Sequence, residues 1–402
     1  MEIIKRFKKS EKGSITIMVL TSMLFILVVL TASYLAISNE SSGQDKKISQ
    51  ISKQYQVTDE DMRKKFDKIL YESEFLEINQ MKSIAMFEKT SNTETEDVYG
   101  NKIIIPAGFK ITEDATDVTE GIVIEDKDGN QFVWVPVGDI YTDVERTEEN
   151  KRIIQLGRYD FAEDGTASEY SGDYTEDTPE NHKSEYGNAI AKDIDKFKAS
   201  VNNNSGYYIG RYEAGVSAGT LDTTDMLNDY TAPDNKWTGW TKGDGSDAQI
   251  VCKQGQQVWN YVTQPKALQL SQNMYETNEF TSDLINSYAW DTSIVFIQMF
   301  GNQQNSKTYA YQTGISTETE KASATGTGKL RDTNNIDKQC NIFDLAGNAY
   351  EWTTETSNDS ILPCICRGGI FDSSSSYTSY SRNLEVALAQ NRRSFRPIIY
   401  LH

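Results

Sequence analysis

Asn341-Ile342-Phe343-Asp344-Leu345-Ala346-Gly347-Asn348-Ala349-Tyr350-Glu351-Trp352, then Arg367-Gly368-Gly369, then Ser394-Phe395-Arg396-Pro397: these segments follow one another near the end of a chain of 402 residues. Past Gly369 the sequence reads Ile370-Phe371-Asp372-Ser373-Ser374-Ser375-Ser376-Tyr377-Thr378, rich in hydroxyls and without a thiol. The cysteines stand at 252, 340, 364 and 366, and the histidines at 182 and 402. Asp372 and Ser373 have no histidine near them in sequence, and a serine without a base is a poor nucleophile at neutral pH.

In that order the three segments resemble the formylglycine-generating (sulfatase-modifying factor) family, whose fold is C-type-lectin-like. The resemblance implies an α+β domain with much irregular structure, spanning residues 99–402. It also implies a structural Ca²⁺ held by two side-chain oxygens and two backbone carbonyls, which fall here on Asp344, Gly347, Ala349 and Glu351. Hard cations take six to eight oxygens at about 2.3–2.6 Å, and a Gly-bearing turn lets carbonyls point inward between two carboxylates. The competing reading is a turn whose acids cap backbone amides or pair with Arg396. The family's two catalytic cysteines, which bind copper and attack the substrate, would lie just after Gly369, where this chain carries hydroxyls. The related iron-dependent sulfoxide synthases need three histidines, more than this sequence holds. The resemblance thus implies the scaffold without the chemistry, with an enzyme of altered active site as the runner-up.

Working outward, formal charge is −19; residues 1–13 hold five Lys or Arg against two Glu, a sum of +3, which leaves −22 on the rest. Such a surface repels phosphate backbones and argues against nucleic-acid binding. Residues 14–39 carry no formal charge. As a helix they would reach roughly 39 Å, enough to cross a hydrocarbon core of about 30 Å. The basic cluster before them predicts a cytoplasmic leader over 1–13, a single membrane pass over 14–39 and everything later outside the cell. A cleaved secretory signal is the alternative, although the apolar run is long for one. Lys12-Gly13-Ser14-Ile15-Thr16-Ile17-Met18 resembles a prepilin processing site, implying cleavage after Gly13 and pilus-like assembly subunits as partners. Met18 stands where major pilins carry glutamate, which points to a minor subunit or a plain anchor.

Ile48, Ile51, Tyr55, Met62, Phe66 and Leu70 recur at helical spacing and predict a helical stalk over 40–90. The polar run 91–98 reads as a linker. Gly121 to Asp126 and Phe132 to Val137, joined by the turn Asp128-Gly129-Asn130, read as a β-hairpin, and Tyr207-Tyr208-Ile209-Gly210-Arg211-Tyr212-Glu213-Ala214 resembles a further strand of the family. Helices are predicted at 265–274 and 281–299. Residues 141–195 are acidic and poor in aliphatics, so they read as a surface insertion or loop. Cys364-x-Cys366 could form a metal or redox site, but without a second pair or a histidine all four cysteines read as buried thiols. Arg367, Arg396 and Trp352 read as structural, and Arg392 and Arg393 as candidate anion contacts.

The segment 371–383 mixes Ser and Tyr, the composition of adaptable recognition loops. Its candidate ligand contacts are Asp372, Ser373, Ser375, Tyr377, Tyr380, Arg382 and Asn383, expected on an exposed face. An ordinary polar loop is the alternative, and the segment also resembles the variable face of retroelement-diversified proteins that share this fold. The sequence therefore reads as a surface-displayed, non-catalytic binder of an extracellular glycan or protein, with a structural pseudopilin as a third possibility.

Overall fold

The computed structural model of the chain describes residues 87–177, 190–216, 249–256, 258–260, 262–302, 305–313, 325–326, 338–370, 377–386 and 392–402. The leader, the membrane segment and most of the stalk lie outside the described residues. Among those described, no helix is long and apolar enough to cross a membrane. The architecture is mixed, with many short strands and few helices.

The first described strand lies inside the expected linker, where β1 (Thr93–Glu96) pairs with β2 (Lys102–Ile105). A six-stranded antiparallel sheet follows. It is built from β3 (Phe109–Ile111), β4 (Val123–Asp126), β5 (Gln131–Pro136), β10 (Gly206–Gly210), β13 (Phe280–Leu284) and β20 (Pro397–Leu401), in the order β13-β20-β10-β5-β4-β3. The expected hairpin is β4–β5. Its turn is closed by the Asp126 carboxylate, which accepts the N–H groups of Asp128 and Asn130 at 2.9 and 2.8 Å and the Asn130 amide at 2.8 Å. Gly129 supplies the positive φ of 85° that an L residue would resist. Asp97-Val98-Tyr99-Gly100-Asn101 builds the same turn, with Asp97 accepting from Tyr99, Asn101 and the Asn101 amide.

Strand β10 is buried from end to end. On one side the Tyr207 hydroxyl donates to the Ala289 carbonyl at 2.6 Å; the Tyr208 hydroxyl reaches the Ile104 carbonyl at 3.0 Å. Among the described residues three α-helices accompany the sheet: α1 (Ile194–Asn204), α2 (Gln264–Gln272) and α3 (Ser287–Phe300). Each starts at a side-chain cap, Asp193, Thr263 and Asn286 respectively. Helix α2 falls where the sequence predicts it. The other expected helix starts later, because residues 280–284 pair with β20 before the Asn286 cap. On α3, Trp290, Ile294 and Ile297 form the fully buried stripe that holds it on the core.

A second sheet carries the motifs that open the sequence reading: β16 (Tyr350–Thr356), β17 (Cys364–Arg367), β18 (Arg382–Glu385) and β19 (Arg393–Phe395), in the order β18-β17-β16-β19. Only β16 and β19 run parallel. Two-stranded ribbons complete the described fold: β6 (Gly138–Tyr141) with β7 (Lys151–Ile154), β8 (Tyr159–Phe161) with β9 (Ala167–Glu169), β11 (Gly215–Val216) with β12 (Ile250–Val251), and β14 (Lys338–Gln339) with β15 (Ile342–Phe343).

The acidic stretch 141–195 departs from expectation. Ile154 and Phe161 enter the core, and Thr175 exchanges two backbone hydrogen bonds with Thr356 at 2.9 and 2.7 Å. Beside that bridge Glu176 is buried at 7 % exposure, accepting the Ser287 N–H at 2.6 Å together with the Ser287 and Thr354 hydroxyls. A polar strand can be buried when each group finds a donor or acceptor, which composition does not reveal. Residues 178–189 of this stretch lie outside the described residues.

Burial pushes the Glu176 carboxyl from 4.5 up to about 7, against its hydroxyl donors and with the Glu355 charge adding to the rise. The folded protein therefore holds a proton that the unfolded chain releases, so stability falls as pH rises from 4.5 through about 7. The expected loss is up to roughly 3 kcal/mol, at about 1.4 kcal/mol per unit of pKa. Glu176→Gln should flatten this slope in urea unfolding at stepped pH; a wild-type and variant difference that stays constant over the range would contradict it.

Candidate functional site

Lys338↔Phe343 and Gln339↔Ile342 are cross-strand pairs, so β14 and β15 are joined by two residues, Cys340 and Asn341. Both have positive φ, 45° and 63°, the geometry that matches a two-residue turn to strand twist. Immediately after comes a third Asp-x-x-Gly-Asn segment, 344–348, in which the Gly347 N–H donates to the Asp344 carbonyl at 3.3 Å as the glycines of the other two turns do. Asp344 itself takes a φ of 59°, and its carboxylate accepts the Gly326 N–H at 3.0 Å. Asn348 turns its amide to Glu213, which also accepts the Ala349 N–H at 3.1 Å.

Glu213, Asp344 and Glu351 thus lie in one buried neighbourhood, at 0 %, 3 % and 0 % exposure. Burial, then the charges of Asp344 and Glu351, hold the Glu213 carboxyl far above its ordinary range. Arg396 supplies the opposing charge: its Nε reaches both Glu351 oxygens at 3.2 and 2.9 Å and its Nη2 lies 2.6 Å from Oε1. It also donates to the carbonyls of Gly210 and Phe343. The expected pairing of Glu351 with Arg396 is therefore present, and Arg396 ties the turn to the central sheet.

Three carboxyls and one guanidinium share this neighbourhood, with Glu351 bonded to Arg396 and Glu213 close enough to feel its charge. Oxygen donors suit a hard cation, but both Glu351 oxygens already accept from Arg396 and the Gly347 carbonyl accepts the Ala349 N–H at 2.9 Å. No cluster of three His, Cys, Asp or Glu side chains with metal-site geometry occurs among the described residues, so backbone oxygens would have to contribute.

The Ser/Tyr segment is less exposed than expected. Asp372, Ser373 and Ser375 lie outside the described residues. Tyr377 is 37 % exposed, its ring set edge-on to Tyr350 at 5.3 Å. Tyr380 is half-buried against Phe161 and Tyr311, with centroids at 6.1 and 4.8 Å. Arg382 is no surface contact: it bonds Glu355 at 2.9 Å, pairs with Asp291 and lies 4.0 Å over the Tyr170 ring. Asn383 sits in β18 with its Nδ2 buried and without a hydrogen-bond partner among the described residues. The reason is the folded acidic stretch, whose Tyr170 and Arg158 pack over this part of the second sheet. Arg393 is likewise buried, paired with Glu385 and stacked on Trp352 at 5.1 Å, so it does not stand ready for an anion.

Beneath the segment lies an ionic network that sequence reasoning found only in part. Arg367, fully buried, bonds Glu355 at 3.1 Å and Asp291, and donates to the Ser381 and Tyr380 carbonyls at 3.1 and 3.2 Å. Trp352 is fully buried and its indole N–H donates to the Val262 carbonyl at 2.8 Å. The structural reading of Arg367, Arg396 and Trp352 agrees with these positions. Glu213, Asp291 and Glu355 were missed, since nothing local marks an acid in a strand or helix as a buried partner.

All four cysteines are free thiols, and Cys252, Cys364 and Cys366 are buried. Burial pushes Cys252 up to about 11 and Cys364 up to about 12, and holds Cys366 well above the ordinary thiol range. No family model matches this sequence, and a search of curated proteins returns no match.

Proposed function

We propose that this chain is a non-catalytic recognition protein on a sulfatase-modifying-factor-like, C-type-lectin-like scaffold. Residues 14–39 anchor it in the bilayer, the C-terminal domain is displayed outside the cell, and the prepilin-like leader places it as a minor subunit of a pilus-like assembly. A structural Ca²⁺ at Asp344, Gly347, Ala349 and Glu351 stiffens the turn, and an extracellular glycan or protein docks at the Ser/Tyr segment around Tyr377.

The observation that carries this reading is the exchange of chemistry after Gly369, where hydroxyls and aromatics stand in place of thiols. The remaining thiols support it, since the thiolate is the reactive form and burial disfavours it. Among the described residues of the segment Tyr377 is the exposed aromatic, and such rings dominate recognition surfaces. On glycan and glycopeptide arrays the detergent-solubilised full chain should bind a limited set of spots, and Tyr377→Ala should lose them. Folding should weaken by no more than about 0.5–1.5 kcal/mol, the worth of the Tyr350–Tyr377 pair. Array binding that survives Tyr377→Ala would remove the segment from the ligand site.

A further inference from the structure

A cleft of about 450 Å³ opens between the 114–120 segment, the C-terminal end of α3 and the β14–β15 hairpin. Asp114, Glu120, Phe300, Asn302, Lys338 and Asn341 line it, and none belongs to the Ser/Tyr segment. The size suits a small ligand, for which pockets run from about 300 to 1,000 Å³.

The frame of the cleft is rigid. Asn341 donates to the carbonyls of Glu120 and Gly121 at 3.2 and 2.9 Å and accepts from Arg211 at 3.3 Å. The Cys340 carbonyl lies so near Gly121 that a Cβ there would stand 1.9 Å from it, so only glycine permits the contact. Arg211 grips Asp114 through two hydrogen bonds of 2.9 and 3.0 Å.

Lys338 is different. It makes no hydrogen bond or ion pair among the described residues, and its Nζ stands 5.7 Å over the Phe343 ring. Burial and the neighbouring Arg211 charge lower its pKa, although Asp114 opposes the shift. A partly buried ammonium beside a guanidinium is relieved by an anion. The anion should carry little charge, because a chain at −19 repels polyanions. Around Lys338 the lining offers carboxylate and amide oxygens that accept from hydroxyls, and Phe300 offers an apolar surface.

We propose that this cleft binds a saccharide bearing a single carboxylate, with the carboxylate on Lys338, the hydroxyls on Asp114, Glu120 and Asn302, and a ring face against Phe300. The site is independent of whatever the Ser/Tyr segment does. The test is calorimetric titration of the detergent-solubilised full chain with methyl glucuronide, and with methyl glucoside as the neutral match. Saturable binding of the glucuronide alone is expected. Lys338→Met should weaken it roughly ten- to hundredfold, the usual worth of a hydrogen bond to a charged group. Lys338→Arg, which keeps the charge, should retain binding, and both variants should melt close to the wild type, Lys338→Met losing only the contact with the Phe343 ring among the described residues. Absence of glucuronide binding, equal binding of the glucoside, or undiminished binding by a folded Lys338→Met would each overturn the proposal.

Discussion

Arg367→Met should destabilise the protein by about 3–5 kcal/mol, the cost of stripping one partner from a buried ion network. Domains hold only about 5–15 kcal/mol in total, so the variant should sit near the edge of folding. Arg367 is fully buried, as are Asp291 and Glu355, and it also satisfies the Ser381 and Tyr380 carbonyls. Methionine fills similar volume but leaves two carboxylates in low dielectric with only Arg382 and Arg158 to answer them. Burial alone would raise the Glu355 pKa; the charges of Arg382, Arg367 and Arg158 overcome it and hold the carboxyl below its ordinary value. The network's stability is therefore present at neutral pH and lost as pH falls through that lowered pKa. Urea midpoints at constant slope measure the loss. A decrease under about 1 kcal/mol would mean that the network is solvated and contributes as little as surface pairs do.

The second large effect concerns the cation. Ca²⁺ should raise the melting temperature of the full chain and a chelator should lower it, since an ion bound only by the native state stabilises by mass action. At a hundredfold excess over Kd the gain is about 2.7 kcal/mol. Asp344→Ala should abolish the response. Glu213→Gln separates charge relief from ligation. Without metal it relieves the charge beside Asp344 and Glu351 but loses one acceptor, since Asn348 and the Ala349 N–H donate to different Glu213 oxygens. Mg²⁺ should substitute poorly, as it demands a tighter octahedral shell. Coincident melting curves with Ca²⁺ and with chelator would leave the Glu351–Arg396 pair as the whole purpose of the turn.

The local features were readable from the sequence where a residue type has one dominant conformational use. Gly129 between apolar runs marks the β4–β5 hairpin, and the β10 segment is apolar and aromatic enough to be buried on both faces. Readability failed where long-range partners decide. Phe280 to Leu284 could continue a helix in sequence, but pairing with β20 more than a hundred residues later makes it a strand. Glu176 reads as one more solvated acid until Ser287 and Thr354 are placed around it. Arg382 shares the hydroxyl-rich composition of its neighbours, yet Asp291 on α3 and Glu355 on β16 draw it inward. Asp344 looks like Asp97 and Asp126 in motif, and only the structure reveals its positive φ of 59° and the long-range bond from the Gly326 N–H.

Mass spectrometry of a cysteine-containing sulfatase-type peptide, incubated with the full chain with and without copper, tests most directly whether this scaffold is free of its resembled family's chemistry. The expected spectrum shows the peptide at its starting mass under both conditions, because no thiol follows Gly369 and Cys364 and Cys366 are buried in β17. A copper-dependent mass change on the cysteine, to formylglycine, would contradict the account and assign catalysis to those two thiols.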